Sequence, residues 1–271
     1  MSAASADLGR ATVITTYTSY AMISRDMTKS LERVAEKPEV ARETEYYLSK
    51  IGSIKTIDDF MADTRVYNYA LKAHGLEDMA YAKAFIRKVL TEGTDNKADF
   101  ANQLSDSRYA QLAESLNFAA YGTTATSFDK AQKGVVDKFQ RQTLEEDAGA
   151  DNMGVRLALY FERTAPTIKS GMEVLADDAL SEVMRTALGM SSDMIGADLD
   201  RQAKYIEDMV KIEDFQDPAK VNKFLERFTA MWEINNPTES YDPLAVFNSP
   251  SSSGISTDLL ISINNLKLGG K

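Results

Sequence analysis

Apolar side chains recur every three or four positions along most of the chain, the spacing that puts them on one face of an α-helix. The first such stripe covers residues 14–34. Further stripes predict helices over residues 40–51, 56–74, 77–90, 97–104, 107–120, 128–148, 152–164, 170–176, 179–188, 193–212 and 218–234. No region alternates apolar and polar residues between hairpin turns, as strands do. The pattern therefore predicts an all-α fold.

Capping residues mark several of the predicted helix ends. Pro38 stands in the first turn of its helix, where proline is tolerated. Thr56 followed by Asp59 is typical of a helix start, with an acid near the positive end of the helix dipole. Gly75 and Gly93 each follow an apolar stripe, and glycine commonly ends a helix. These signals divide the chain into successive, closely spaced helices.

The chain also resembles itself at an offset of 114 residues, with residues 42–76 lying over residues 156–190. The matched pairs include Arg42 with Arg156, Tyr46 with Tyr160, Ile54 with Ile168, Asp63 with Asp177 and Gly75 with Gly189. A chance alignment of amphipathic helices is the alternative explanation. The shared turn and the shared glycine after the same helix favour an internal duplication.

The duplication predicts two similar helical halves packed as one compact multi-helix body. The first half covers residues 1–126, and its repeat copy begins at about residue 42. The second half covers residues 127–236, where a connecting helix precedes the repeat copy that begins at about residue 156. Residues 237–254 are rich in Pro, Ser and Asn and have the composition of a linker.

The last segment, residues 255–271, is a predicted apolar tail helix. Its apolar positions are Leu259, Leu260, Ile263, Leu266 and Leu268. A short amphipathic helix on a flexible linker suits helix-in-groove binding to a protein partner, so these five residues are the candidate partner-binding site. In the alternatives, the tail covers the core of its own chain or packs on a neighbouring subunit of a homo-oligomer.

Charge and composition restrict the partners and the compartment. The chain has 31 Lys and Arg against 41 Asp and Glu, a net charge of −10, and nucleic-acid affinity needs clustered cations. No stretch approaches the roughly 18 apolar residues of a membrane span, and the N-terminus lacks the pattern of a cleavable signal peptide. We therefore expect no nucleic-acid partner and no membrane span. The absence of cysteine fits a cytoplasmic protein, and it fits a protein exported unfolded without a cleavable signal peptide.

Candidate chemistry is sparse. Without cysteine and with His74 as the single histidine, thiolate catalysis and histidine-rich metal sites are excluded. His74 lies at the end of a predicted helix, where an imidazolium is favourable, and we interpret it as structural. Carboxylates cluster at residues 145–147 and 151, but without the spacing of an EF-hand. We predict no catalytic, cofactor-binding or metal-binding residues, and we expect that the protein is not an enzyme.

Several sequence blocks resemble an uncharacterised alphaproteobacterial family, a domain of unknown function. The blocks are residues 43–47 (ETEYY), 67–78 (YNYALKAHGLED), 102–109 (NQLSDSRY), 144–147 (LEED), 156–161 (RLALYF) and 175–177 (LAD). The resemblance covers about residues 30–234. Because members of that family are often encoded in flagellar gene clusters, the resemblance implies a role in flagellar assembly or motility. It implies no catalytic residues.

The leading hypothesis is a non-enzymatic interaction protein of the flagellar system that acts as an adaptor, a chaperone or a minor structural component. Its partner would be a protein, with flagellar components as the candidates. One alternative is an enzyme that uses carboxylates or a divalent metal in a cleft lined by Glu145, Glu146, Asp147 and Asp151. Another is a helical domain that binds a small molecule between its two halves. No cofactor is expected.

Overall fold

A computed structural model describes residues 15–236 of the chain. The regular elements in this range are all helices. The α-helices are α1 (Thr16–Ser24), α2 (Met27–Ala35), α3 (Pro38–Ile51), α4 (Ile57–Ala62), α5 (Thr64–Ala73), α6 (Lys83–Glu92), α7 (Phe100–Gln103), α8 (Arg108–Leu116), α9 (Phe118–Tyr121), α10 (Lys133–Asp151), α11 (Met153–Thr164), α12 (Gly171–Leu175), α13 (Asp178–Leu188), α14 (Ser192–Ile195), α15 (Leu199–Met209) and α16 (Pro218–Asn235). Short 3-10 helices span Glu77–Met79, Gly122–Ser127, Ala165–Thr167 and Ile212–Gln216. The all-α prediction is confirmed for the described residues.

Two of the predicted helices are each broken by an aspartate. Asp26 divides the first stripe, because its side chain accepts a hydrogen bond from the Lys29 N–H at 3.2 Å and so starts α2. Asp63 divides the stripe over residues 56–74 by accepting from the N–H groups of Arg65 and Val66. A short acidic side chain can replace helical hydrogen bonds in this way. The prediction of one continuous helix is wrong at both places.

The connecting helix also differs from its prediction. It begins at Lys133, five residues after the predicted start at 128, and continues to Asp151. Gly149 does not end it. This glycine lies inside the helix under the Arg156 side chain, where an added Cβ would come within 2.6 Å of the Arg156 Cδ. Glycine is therefore used here for close packing and not as a helix stop.

The helices bury their apolar faces in two hydrophobic cores. The first core includes Tyr47, Phe60 and Tyr69, together with Phe139 of α10. The rings of Tyr47, Tyr69 and Phe139 form a stack, with centroid separations of 4.4 Å and 3.9 Å. The second core is built from α11, α13 and the helices after them, and includes Phe161. Burial of this apolar surface is the main stabilising contribution to the fold.

The two N-terminal helices connect the cores. α1 packs on α11, and its Tyr20 is buried in the second core. α2 packs on α10, and its Val34 is buried in the first core. Between them, Ile23 and Met27 contact both cores. The N-terminal pair thus ties the cores together, although it precedes both predicted repeat copies.

Hydrogen-bonded motifs recur at the predicted offset of 114 residues. In each copy, a Thr or Ser hydroxyl caps one helix, α4 or α12, and a tyrosine hydroxyl donates a hydrogen bond to the aspartate that caps the next helix, α5 or α13. The caps are Thr56 for α4 and Ser170 for α12. The tyrosine pairs are Tyr46 with Asp63 at 3.0 Å and Tyr160 with Asp177 at 2.5 Å. The same local geometry is therefore formed at both predicted copies.

The glycine after the third helix also repeats. Gly75 and Gly189 have φ values of +67° and +60°. Each N–H bonds to the carbonyl three residues earlier, and the next N–H bonds to the carbonyl five residues before it, the hydrogen-bond pattern of a Schellman motif. These shared motifs support the predicted duplication and its halves. The duplication itself and the boundary at residues 126–127 stay predictions.

Candidate functional site

The candidate partner-binding residues lie outside the described residues. They are Leu259, Leu260, Ile263, Leu266 and Leu268, and the linker over residues 237–254 also lies outside. The assignment of a partner to the tail therefore stays a prediction. Among the concave surfaces of the described body we name two, the aromatic groove and the inter-core cleft.

The aromatic groove is an open concavity of about 1000 Å³ along α3 and α5. The rings of Tyr46, Tyr69 and Phe139 contribute to its surface, and Lys50 and Asn68 are exposed along it. The hydrogen bond from the Tyr46 hydroxyl to Asp63 raises the pKa of that hydroxyl and keeps it protonated. Tyr69 and Phe139 are largely buried, so the groove offers the half-buried Tyr46 ring beside exposed polar groups.

Most charges along the aromatic groove are already paired. The Arg65 guanidinium lies 3.9 Å from the centre of the Tyr46 ring and pairs with Glu43 at 3.0 Å. Lys72 pairs with Glu146 at 2.6 Å. The Lys50 ammonium lies 5.9 Å from the Tyr46 ring and forms no ion pair within residues 15–236. Lys50 is therefore available to a ligand from outside.

The inter-core cleft encloses about 620 Å³ between the two cores. One wall is the face of α11 that carries Arg156, Tyr160 and Arg163. The opposite wall is the turn after α5 and the start of α8, and Gln142 and Glu145 of α10 also line the cleft. Volumes of roughly 300–1,000 Å³ are usual for small-molecule sites, which often lie where two domains meet.

Ion pairs hold the walls of the cleft in place. Arg108 pairs with Asp106 at 2.8 Å and donates to the Gly75 carbonyl at 2.6 Å. Glu145 accepts from Arg163 at 2.8 Å and from Arg141 at 2.9 Å. Burial raises the pKa of the Tyr160 hydroxyl, which donates to Asp177. These bonds join α10 to α11, α11 to the start of α13, and α8 to the turn after α5, and none of them needs a ligand.

His74 lies at the end of α5, as predicted, but its ring is not charged there. Its ring is buried, with Nδ1 2.7 Å from the Ala70 carbonyl and Nε2 2.9 Å from the Ser115 hydroxyl. Burial lowers the pKa of His74 to about 3. The expected imidazolium at the helix end is therefore wrong, because the cost of burying the charge exceeds the attraction of the helix dipole. The structural interpretation of His74 agrees with these contacts.

The carboxylates proposed for an enzyme do not converge on one cleft. Glu145 pairs with two arginines, Glu146 with Lys72, and Asp147 with Lys37 at 2.9 Å. Asp151 is exposed. In the part of the chain that the structure describes, no group of three or more His, Asp or Glu side chains is placed to hold a metal ion. Across the same residues, no helix is long and apolar enough to cross a membrane.

Sequence reasoning did not single out the cleft residues Arg156, Arg163 and Gln142. A signal was present, because Arg156 and Arg163 interrupt an apolar helix seven residues apart, which places them on one helical face. Two arginines at this spacing in a largely buried helix indicate that one face of the helix borders a polar space. The opposite wall comes from residues far away in sequence, and no periodicity in the chain could reveal it.

Comparison with known proteins gives a family but no activity. A family model described as a protein of unknown function (DUF1217) matches residues 73–221, more than half of the chain. The chain belongs to this family. A solved structure, the X-ray crystal structure of protein AGR_C_984 from Agrobacterium tumefaciens, is 66% identical, with a TM-score of 0.77 over 82% of this chain and 94% of that one. No curated protein matches.

Proposed function

We propose that the protein is a non-enzymatic interaction protein that acts in flagellar assembly or motility as an adaptor, a chaperone or a minor structural component. The flagellar context rests on the family resemblance of the sequence. The interaction rests on one observation, the aromatic groove with its unpaired Lys50. We place this activity in the cytoplasm, with export to the flagellum without a cleavable signal peptide as the alternative.

The chemistry of the aromatic groove suits a polypeptide segment. The half-buried ring of Tyr46 can contact an apolar side chain of a partner, and aromatic rings contribute strongly to protein interfaces. The exposed Asn68 amide has a donor beside an acceptor, which matches a peptide group. Lys50 supplies a cation for an acidic residue. The expected partner segment therefore combines apolar and acidic side chains.

The tail supplies a second contact in this proposal. Residues 255–271 carry the five apolar candidates and follow a linker-like segment. Two contacts on one chain raise avidity because the second binding event is intramolecular. Loss of either contact should therefore weaken capture of the partner, and loss of both should abolish it.

Affinity purification of the tagged protein from its native cells, read by mass spectrometry, tests the proposal. The baits are the wild type, the groove variant K50E/N68A, a deletion of residues 255–271, and the control K223E/N222A. The control makes the same two changes at exposed positions of α16. We expect flagellar rod, hook, filament or export proteins with the wild type and the control, and fewer with the other two baits.

The same experiment can contradict the proposal in two ways. Equal recovery of the partner with K50E/N68A and with K223E/N222A would show that the groove takes no part in the interaction. Unchanged recovery of the partner after deletion of residues 255–271 would show that the tail takes no part in the interaction. A wild-type bait that enriches no protein would contradict an interaction function altogether.

A further inference from the structure

The inter-core cleft contains polar groups that the ion pairs of its walls leave free. Arg163 uses Nε and Nη2 on Glu145, which leaves its Nη1 without a partner among the described residues. Arg156, two turns earlier on α11, forms neither a hydrogen bond nor an ion pair through its guanidinium in that range. Both arginines therefore have donor groups available in the same cleft.

An acceptor is also left free in the cleft. Gln142 is 9% exposed, and its amide nitrogen donates to Glu146 at 3.2 Å. Its Oε1 accepts no hydrogen bond within the described residues and lies near the Gly75 turn, 3.7 Å from the position of an added Cβ there. This oxygen is not one of the fully buried unpartnered polar atoms of the described residues, so it is open to water or a ligand in the cleft.

Free carboxylates lie on the wall opposite Arg156. Glu77 and Asp78, in the 3-10 helix after α5, line the cleft and form no ion pair within residues 15–236. Burial and the charge of Glu146 raise the pKa of Glu77, and the positive charges of Lys72 and Arg156 oppose that rise. Unpaired groups of both signs thus face each other across a space of small-molecule size.

The position of Arg156 is fixed by the packing of its side chain. Its aliphatic carbons lie against Gly149 of α10, where any Cβ would be 2.6 Å from the Arg156 Cδ. Arginine often buries its stem in this way while its charged end stays in a polar space. The cations that line the cleft are arginines, and a planar guanidinium suits two-point binding of a carboxylate.

We propose that the inter-core cleft binds a small zwitterion of the α-amino-acid class. Arg156, with the free Nη1 of Arg163, takes the carboxylate. Glu77, Asp78 and the Oε1 of Gln142 take the ammonium group. A ligand with only one charge would leave half of these groups unsatisfied, whereas a zwitterion pairs with both sets. This site is separate from the aromatic groove and does not depend on partner binding.

Isothermal titration of the full-length protein with each common protein amino acid in turn tests this site. Sodium acetate and methylammonium chloride, which each present one of the two charges, are the control ligands. We expect at least one amino acid to bind one-to-one with a Kd of about 1 mM or tighter, and neither control ligand to match it. Failure of every amino acid to bind, or equal binding by acetate or methylammonium alone, would overturn the proposal.

Variants show whether binding uses the cleft. R156M keeps the stem over Gly149 but removes the guanidinium, and E77Q removes an exposed charge. Each should weaken binding at least about tenfold. R227M, a matched change at an exposed position of α16, should bind as the wild type does. If R156M fails to fold, E77Q carries the test. Wild-type binding by folded R156M or by E77Q would overturn the assignment, while the partner experiment with K50E/N68A would be unaffected.

Discussion

Glu145 is a buried charge that links neighbouring helices through its ion pairs. It lies on α10 and is 1% exposed, and its carboxylate binds Arg141 of the same helix and Arg163 of α11. Arg141 in turn donates to the Leu159 carbonyl at 2.8 Å and to the sulfur of Met27 in α2. One carboxylate therefore organises contacts among three helices. A buried charge of this kind is tolerated only while it remains paired.

Replacing Glu145 by glutamine should destabilise the protein by about 3 kcal/mol, because Arg163 loses its ion-pair partner and Arg141 keeps only the longer pair with Glu162 at 3.4 Å. Urea unfolding followed by far-UV circular dichroism measures the change. D151N is the control, since Asp151 is exposed and should change the free energy of unfolding by at most about 0.5 kcal/mol. Equal stability of E145Q and D151N would show that the ion pairs contribute nothing.

His74 predicts how stability depends on pH. Burial lowers its pKa to about 3 in the folded protein, whereas the unfolded chain takes up the proton near pH 6.5. The unfolded state therefore binds more protons between these values, so stability is complete above about pH 6.5 and falls as the pH falls. Between about pH 7 and pH 5.5 the loss should be about 1 kcal/mol.

Urea unfolding at several pH values checks this dependence, with H74Q as the reference variant. His74 is the single histidine of the chain, so the slope in this window should be much smaller in H74Q. If the wild type and H74Q lose the same stability on acidification, the ring of His74 is not the group that titrates.

At the scale of elements, local hydrogen bonds decide where helices begin and end. Thr56 and Asp59 form a capping box at α4, and Ser170 accepts from the Glu173 N–H at 3.2 Å to start α12. The end of α13 depends on Gly189, whose φ of +60° is a conformation that other residues adopt at a cost. These motifs act within a few residues, so each can be tested by a single substitution.

G189A should lower the free energy of unfolding by about 1–2 kcal/mol, because alanine is strained at positive φ. G52A is the matched control. Gly52 has a φ of −64°, and an added Cβ there would meet only the Gln132 Nε2 at 3.8 Å. Thermal and urea unfolding of both variants gives the comparison. A smaller loss of stability in G189A than in G52A would contradict the assigned role of Gly189.

Local signals of this kind are what the sequence could predict. Thr56, Gly75 and Pro38 act through their own backbone neighbours, and their positions at helix ends follow from residue type. The helix breaks at Asp26 and Asp63 do not follow from the apolar pattern, because the three-to-four-residue spacing of apolar residues continues across both positions. The inter-core cleft could not be predicted, since Gln142 and Arg156 meet the Gly75 turn only through tertiary packing.

At the scale of the whole molecule, two apolar cores are joined by α1, α2 and the ion pairs of α10. The aromatic groove lies beside the first core and the inter-core cleft between the two, so a partner segment and a small ligand would use different surfaces. This separation lets the two proposals be tested independently.

The central claim is that the protein serves the flagellar system through its aromatic groove. The most direct measurement is swimming motility of a strain that lacks the gene, complemented with the wild type, with K50E/N68A or with K223E/N222A at equal protein levels. The account predicts that the deletion impairs swimming and that the wild type and K223E/N222A restore it while K50E/N68A does not. Normal swimming of the deletion strain would contradict the flagellar role, and full restoration by K50E/N68A would contradict the role of the groove.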